Sequence, residues 1–124
     1  MTARVLVVDD ILSNVKLLEA KLEAEYFEVI TAGNGEQALA RVEKDIPDIV
    51  LLDVMMPGMD GFSVLRALRA RSDAAAVPVV FLTARTQEAD EYFRAGAIGI
   101  ISKPFEPEDL LRRVRAYAEV PAHA

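Results

Sequence analysis

Short apolar runs alternate regularly with longer amphipathic stretches along this sequence, and few folds are compatible with that alternation. Runs rich in valine, isoleucine and leucine recur about five times, and residues at helical spacing fill the intervals. Crossovers of helical length require parallel strands, and runs this apolar are buried on both faces of a sheet. The pattern therefore predicts an α/β fold with a five-stranded parallel sheet covered by helices on both faces. The predicted strands are residues 4–8, 28–32, 49–52, 79–82 and 99–102.

The first two intervals carry clear helix signals. Four apolar residues after the first strand recur at spacings of four, three and four, which places them on one helix face. These residues are Ile11, Val15, Leu18 and Leu22. Asn34 followed by Gln37 is typical of a capping box, so the second helix is predicted to begin there. Its core face is expected to include Leu39 and Val42.

Start signals also mark the other three helices. Asp60 is expected to cap the third. The fourth is predicted to open at Thr86 or its neighbours and to run toward Phe93. Pro107 suits the first position of the fifth, because proline lacks the N–H that would be unpaired there. The residues expected to face inward from the third and fifth helices are Phe62, Leu65, Leu68, Leu110, Leu111 and Val114.

Composition narrows the class of protein further. The 124 residues are 52% hydrophobic, which suits one domain, predicted to span residues 1–119 before a disordered tail at 120–124 that holds the lone His123. The sequence has no cysteine, which excludes disulfides and thiolate chemistry and suits a reducing cytoplasm. No apolar stretch approaches the roughly 18 residues that a membrane span requires. The net charge of −6 opposes direct binding to nucleic-acid phosphates.

Polar residues stand at the carboxyl ends of four of the five predicted strands. In strand order they are Asp9 and Asp10, Asp53, Thr83, and Lys103. Ligands of open parallel sheets bind outside these ends, where the strand order reverses. The second strand ends without such a group, which fits a marginal position in the doubly wound, flavodoxin-like order 2-1-3-4-5. The sequence therefore predicts one site at this edge of the sheet.

The residue types in this set indicate a metal and a phosphate. A single aspartate after a strand is often only a helix cap. Three converging carboxylates, however, repel one another and raise each other's pKa unless a cation holds them ionised. Oxygen ligands without histidine or cysteine favour Mg²⁺, for which Mn²⁺ could substitute. Lys103 and Thr83 would then offer a positive charge and a hydroxyl to a phosphoryl group.

Four segments together resemble the receiver domain of bacterial two-component response regulators. They are VVDD at 7–10, LLDVMMPGMDG at 51–61, LTA at 82–84 and SKPF at 102–105. Their order and spacing cover essentially the whole chain. The first half also resembles receivers that precede diguanylate cyclase domains.

The resemblance implies a role for each matching residue. Asp53 would be the phosphoacceptor, and the metal would be held by Asp9, Asp10, Asp53 and the backbone carbonyl of Met55. The phosphoryl group would be bound by Thr83, Ala84 and Lys103, and the peptide bond before Pro104 would be cis. One position departs from the family, because Ile100 stands where a tyrosine or phenylalanine often reorients on activation.

The implied function is that of a cytoplasmic signalling domain rather than an enzyme, although it would assist its own phosphorylation and dephosphorylation. A histidine kinase or a phosphotransfer protein would donate the phosphoryl group. An effector, or a second copy in a homodimer, would bind the face made by the fourth helix, fifth strand and fifth helix. No membrane or direct nucleic-acid partner is expected.

Three alternatives remain open at this point. A magnesium-dependent phosphohydrolase with an aspartyl-phosphate intermediate needs an acid/base group near Asp53, where Met55 stands instead. A nucleotide- or flavin-binding protein needs N–H groups rather than the acidic loop that begins at Asp9. A degenerate receiver that only binds partners would not need the complete polar set.

Overall fold

Five parallel strands form one sheet in the order β2-β1-β3-β4-β5. The structure is a computed structural model, and it describes residues 3–119. The predicted tail, residues 120–124, lies outside the described residues. The strands are β1 (Arg4–Val8), β2 (Glu28–Ala32), β3 (Ile49–Asp53), β4 (Val79–Thr83) and β5 (Gly99–Ser102). The predicted fold class and strand order are confirmed.

Two predicted strand ends are wrong by one residue. Asp53 pairs with Leu82 across β3 and β4, and Thr83 pairs with Ser102 across β4 and β5. The Lys103 N–H also donates to the Thr83 carbonyl at 2.8 Å. Both polar residues therefore belong to the hydrogen-bonded ladder, although their side chains end the apolar runs. The sheet itself fixes the backbone from which these two side chains project.

Helices connect the strands at the predicted places. They are α1 (Leu12–Ala24), α2 (Gly35–Lys44), α3 (Gly61–Arg69), α4 (Ala89–Ala95) and α5 (Pro107–Glu119). A short 3₁₀ helix, Thr86–Glu88, precedes α4. Within residues 3–119, no helix combines the length and apolarity needed to cross a membrane.

The start of α1 differs from the prediction. Ile11 has an extended backbone and precedes the first turn, and its side chain is half exposed. Its expected place on the buried face is therefore wrong. Val15, Leu18 and Leu22 do form that face, and all three are buried.

Side-chain caps begin α2 and α3 as expected. Asn34 Oδ1 accepts from the Gln37 N–H at 2.8 Å, and Asp60 Oδ1 accepts from the Ser63 N–H at 2.9 Å. The Gln37 side chain accepts from the Gly33 N–H rather than from that of Asn34, one residue away from the standard capping box.

The fourth helical segment begins as a 3₁₀ helix and turns Tyr92 toward the core. The 3₁₀ helix that opens at Thr86 delays the α-helix to Ala89 and so sets which residues face the sheet. Tyr92 is fully buried, whereas Phe93 is half exposed. The helical segment therefore opens at Thr86 and runs through Phe93 as predicted, and Tyr92 takes the inward position.

The sheet separates two apolar cores. Odd-numbered residues of β1 and β3 pack with α1 and α5, and even-numbered residues pack with α2, α3 and α4. In β4 the even-numbered Leu82 faces the α1 side and the odd-numbered Phe81 faces the α4 side. The inward positions predicted for α2, α3 and α5 are confirmed. Leu39 and Phe62 are partly buried, and the other residues of the set are buried: Val42, Leu65, Leu68, Leu110, Leu111 and Val114.

Candidate functional site

Three carboxylates meet at the carboxyl edge of the sheet. Asp9, Asp10 and Asp53 each offer one oxygen, and these oxygens lie within 4.8 Å of one another. Asp9 and Asp53 are 1% and 4% exposed, whereas Asp10 is exposed. The structure thus brings together the residues that the sequence placed at two separate strand ends.

Asp9 is held by three hydrogen-bond donors. Its Oδ1 accepts from the Ile11 N–H at 2.9 Å, and its Oδ2 accepts from Asn14 Nδ2 at 3.3 Å and from Lys103 Nζ at 3.0 Å. Sequence reasoning missed Asn14, whose only signal is an amide five residues after Asp9. Because both oxygens of Asp9 already have protein partners, Asp10 and Asp53 are freer to contact a cation directly.

Lys103 links the two buried carboxylates. Its Nζ lies 3.0 Å from Asp9 Oδ2 and 3.3 Å from Asp53 Oδ1. Burial alone would lower the pKa of Lys103, but hydrogen bonds and charge attraction from Asp9 and Asp53 outweigh burial, and the net shift is upward. Lys103 is therefore a positive charge at neutral pH, placed beside Asp53.

Asp53 is poorly stabilised as an anion despite this lysine. Burial raises its pKa to about 6, against the attraction of Lys103 and with added repulsion from Asp9. A divalent cation would reverse this shift, because it favours the ionised form of every carboxylate around it. An all-oxygen cluster that lacks sufficient positive charge fits a hard cation such as Mg²⁺.

This pKa shift predicts how the metal-free domain responds to pH. A carboxyl group whose pKa rises on folding contributes stability below its unfolded pKa, near 3.8, and loses it as pH rises through about 6. With magnesium chelated, Asp53→Asn should therefore raise the free energy of unfolding at pH 8 by up to about 3 kcal/mol, and by far less at pH 4. Urea unfolding at pH 4, 6 and 8 measures this difference. An equal effect at all three values would contradict it.

The backbone around Asp53 is tightly packed. The Met55 N–H donates to Asp53 Oδ1 at 3.3 Å, which keeps the Met55 backbone beside the cluster. A Cβ atom on Gly61 would lie 2.6 Å from the Asp53 carbonyl oxygen and 2.9 Å from Val54 Cα. Only glycine lets α3 begin this close to β3. The Gly61 N–H also donates to the Val54 carbonyl at 2.9 Å.

The remaining predicted residues border the cluster at the ends of β4 and β5. Thr83 is 2% exposed, and its Oγ1 accepts from the Arg85 N–H at 2.9 Å. Ala84 and Lys103 lie at a groove of about 420 Å³ that is also lined by Pro104. The peptide bond between Lys103 and Pro104 is cis. Ile100 is partly buried and packs on the α4 side of the sheet.

Comparison with known proteins identifies the family to which the sequence is similar. Residues 5–115 match the response regulator receiver domain. Over 118 residues, or 94% of the chain, the sequence is 52% identical to "Response regulator PleD" of Caulobacter vibrioides and 47% identical to "DNA-binding response regulator MtrA" of Mycobacterium tuberculosis. These matches span only 26% and 50% of the two relatives.

Solved structures with the same fold also align over most of this chain. Chemotaxis protein CheY4 of Vibrio cholerae superposes with a TM-score of 0.89 at 36% identity, over 94% of this chain and 99% of that one. The receiver domain of NtrX from Brucella abortus gives 0.86 at 29% identity, over 94% and 99%. The family match, the relatives and the acidic edge of the sheet agree, and this chain belongs to the response regulator receiver domain family.

Proposed function

We propose that this domain accepts a phosphoryl group on Asp53 in a magnesium-dependent reaction and that the modification alters a protein-binding surface. Receiver domains are signalling domains that interact with histidine kinases and effector domains, and they bind Mg²⁺ through an acidic cluster. The observation that supports the proposal for this chain is the position of Lys103 Nζ, 3.3 Å from Asp53 Oδ1 at the edge that also carries Asp9 and Asp10.

The chemistry is transfer of one phosphoryl group to a carboxylate. An oxygen of Asp53 would attack the phosphorus of a phosphohistidine on a kinase or phosphotransfer protein. The new O–P bond forms as the N–P bond breaks, and the imidazole leaves with the electron pair and takes up a proton. Lys103 would pair with the incoming phosphoryl oxygens, while the Thr83 hydroxyl and the Ala84 N–H would donate to them.

Magnesium would be held by Asp9, Asp10, Asp53 and the backbone carbonyl of Met55, with Mn²⁺ as a substitute. It would neutralise charge between the carboxylate and the phosphoryl oxygens. Asp9 would act on the metal partly through water, because its two oxygens are already bonded to Ile11, Asn14 and Lys103.

The output surface would be the face formed by α4, β5 and α5. Phe93 and Ile98 are 50% and 41% exposed near this face, which provides apolar area for an effector or for a second copy of the domain. The cytoplasm is the compartment that the kinase partner and the cysteine-free sequence favour.

A magnesium titration with a small acyl-phosphate donor tests the proposal. The chain contains no tryptophan, so mass spectrometry replaces indole fluorescence as the measurement. We expect one phosphoryl group per domain, retained on the protein, and no uptake when the metal is chelated before the donor is added. Release of many equivalents of phosphate would instead indicate a phosphohydrolase. No uptake at any magnesium concentration would indicate a domain that only binds partners.

A further inference from the structure

The hydroxyl of Thr83 is hydrogen-bonded to the interior of the protein. Tyr92 Oη lies 3.2 Å from Thr83 Oγ1 and 3.4 Å from Glu88 Oε2. Tyr92 is fully buried, so its hydroxyl depends on these partners. Thr83, Tyr92 and Glu88 thus form a chain of polar groups that runs from the end of β4 to the 3₁₀ helix before α4.

The number of available protons sets the direction of the hydrogen bonds among these three side chains. The Arg85 N–H already donates to Thr83 Oγ1, and the ionised Glu88 carboxylate can only accept. When Tyr92 donates to Glu88, the single Thr83 proton is directed to Tyr92 Oη. In this arrangement Thr83 has no proton to offer to a group on Asp53.

The Tyr92 ring is held in place by two other aromatic rings. Its centroid lies 5.5 Å from that of Phe62 and 5.4 Å from that of Phe81, and Phe62 and Phe81 are 5.3 Å apart. Ile100 packs against the same core cluster. A ring fixed by such packing can change its hydrogen bond more easily than its position.

We propose that Tyr92 is a positioning residue for Thr83, and that it couples this hydroxyl to Glu88 in a domain where Ile100 supplies no aromatic ring. The inference rests on the proposed function, in which a phosphoryl group on Asp53 draws the Thr83 proton toward itself. Tyr92 then turns its own proton to Thr83 Oγ1, so that both buried hydroxyls keep a partner. Glu88 loses its donor, which it tolerates because its side chain is 37% exposed.

The change in hydrogen bonding therefore reaches the protein surface at the 3₁₀ helix. Glu88 Oε1 lies 3.9 Å from Arg85 Nη1, and both side chains reach solvent. A Glu88 released from Tyr92 is free to strengthen this pair or to contact a partner protein. The signal would leave the site by reorientation of hydroxyl groups, with the aromatic rings in place.

The test is the affinity of the magnesium-loaded domain for beryllium fluoride, a phosphoryl mimic. Tyr92→Phe keeps the ring and removes the hydroxyl that competes as an acceptor. The Thr83 hydroxyl proton then has no acceptor without the mimic and gains one when the mimic binds. We expect binding about three- to tenfold tighter than wild type, the range that follows from one net hydrogen bond. A merely structural role for Tyr92 would instead weaken binding. Tyr117→Phe is the matched control, because the Tyr117 hydroxyl contacts Arg113 and not Thr83.

Two further variants keep the inference testable if Tyr92→Phe folds poorly. Glu88→Ala removes only a half-exposed side chain and lets Tyr92 donate to Thr83, so tighter binding is again expected. In a Thr83→Val background, both substitutions should lose their effect. Unchanged affinity in Tyr92→Phe and Glu88→Ala, or an effect that persists without the Thr83 hydroxyl, would overturn the inference. A wild-type domain that binds no beryllium fluoride would instead refute the proposed function itself.

Discussion

Asp53→Asn is expected to abolish the mass gain of one phosphoryl group that the wild-type domain shows with magnesium and an acyl-phosphate donor. An asparagine amide is far too weak a nucleophile to replace a carboxylate, and the neighbouring Asp9 has both oxygens bonded to protein donors. The loss should be complete. Intact-protein mass spectrometry measures it directly.

Asp45→Asn is the matched control for this substitution. Asp45 is exposed, and it lies near Arg4 at the start of β1, at the opposite edge of the sheet from the site. This variant should be modified as fully as wild type. Full modification of Asp53→Asn, or loss of modification in Asp45→Asn, would refute the assignment of Asp53 as the acceptor.

Replacement by asparagine should lower the stability of the metal-free domain at Asp9 but not at the adjacent Asp10. Asp10 is exposed and adds negative charge to the cluster, so Asp10→Asn should relieve repulsion and leave the metal-free domain at least as stable as wild type. Asp9→Asn removes a buried partner of Lys103 and should lower the free energy of unfolding by about 1–3 kcal/mol. Urea unfolding with a chelator present distinguishes the two.

Magnesium affinity provides the second part of this comparison. Asp10→Asn should weaken magnesium binding at least about tenfold, because a direct anionic ligand is lost, and phosphorylation should then need correspondingly more metal. Calorimetric titration measures the affinity. If Asp10→Asn destabilised the metal-free domain, or bound magnesium as tightly as wild type, the role given to Asp10 would be wrong.

Most of the fold could be predicted from the sequence because burial on two faces leaves a strong signal. Runs such as Val5–Val8 and Ile49–Leu52 are apolar at every position, and they are separated by helical spacing and by the cap residues Asn34 and Asp60. The edge that carries the polar residues followed from topology, since all parallel strands end at the same side of the sheet.

The sequence could not predict features that depend on contacts between distant residues. The ends of β3 and β4 are set by pairing with neighbouring strands, so Asp53 and Thr83 remain in the ladder although their side chains are polar. The inward position of Tyr92 depends on how many residues the 3₁₀ helix takes up before α4 begins. Asn14 contacts Asp9 only because α1 starts after an extended Ile11.

The contact of Gly61 with the end of β3 makes the two sides of the site mechanically unequal. The start of α3 touches backbone atoms of Asp53 and Val54, so neither element can move without carrying the other. Thr83 is followed by the exposed residues 84–87, and the 3₁₀ turn that begins at Thr86 contains no buried residue. We therefore expect phosphorylation to displace the segment between β4 and α4 more than it displaces β3 and α3.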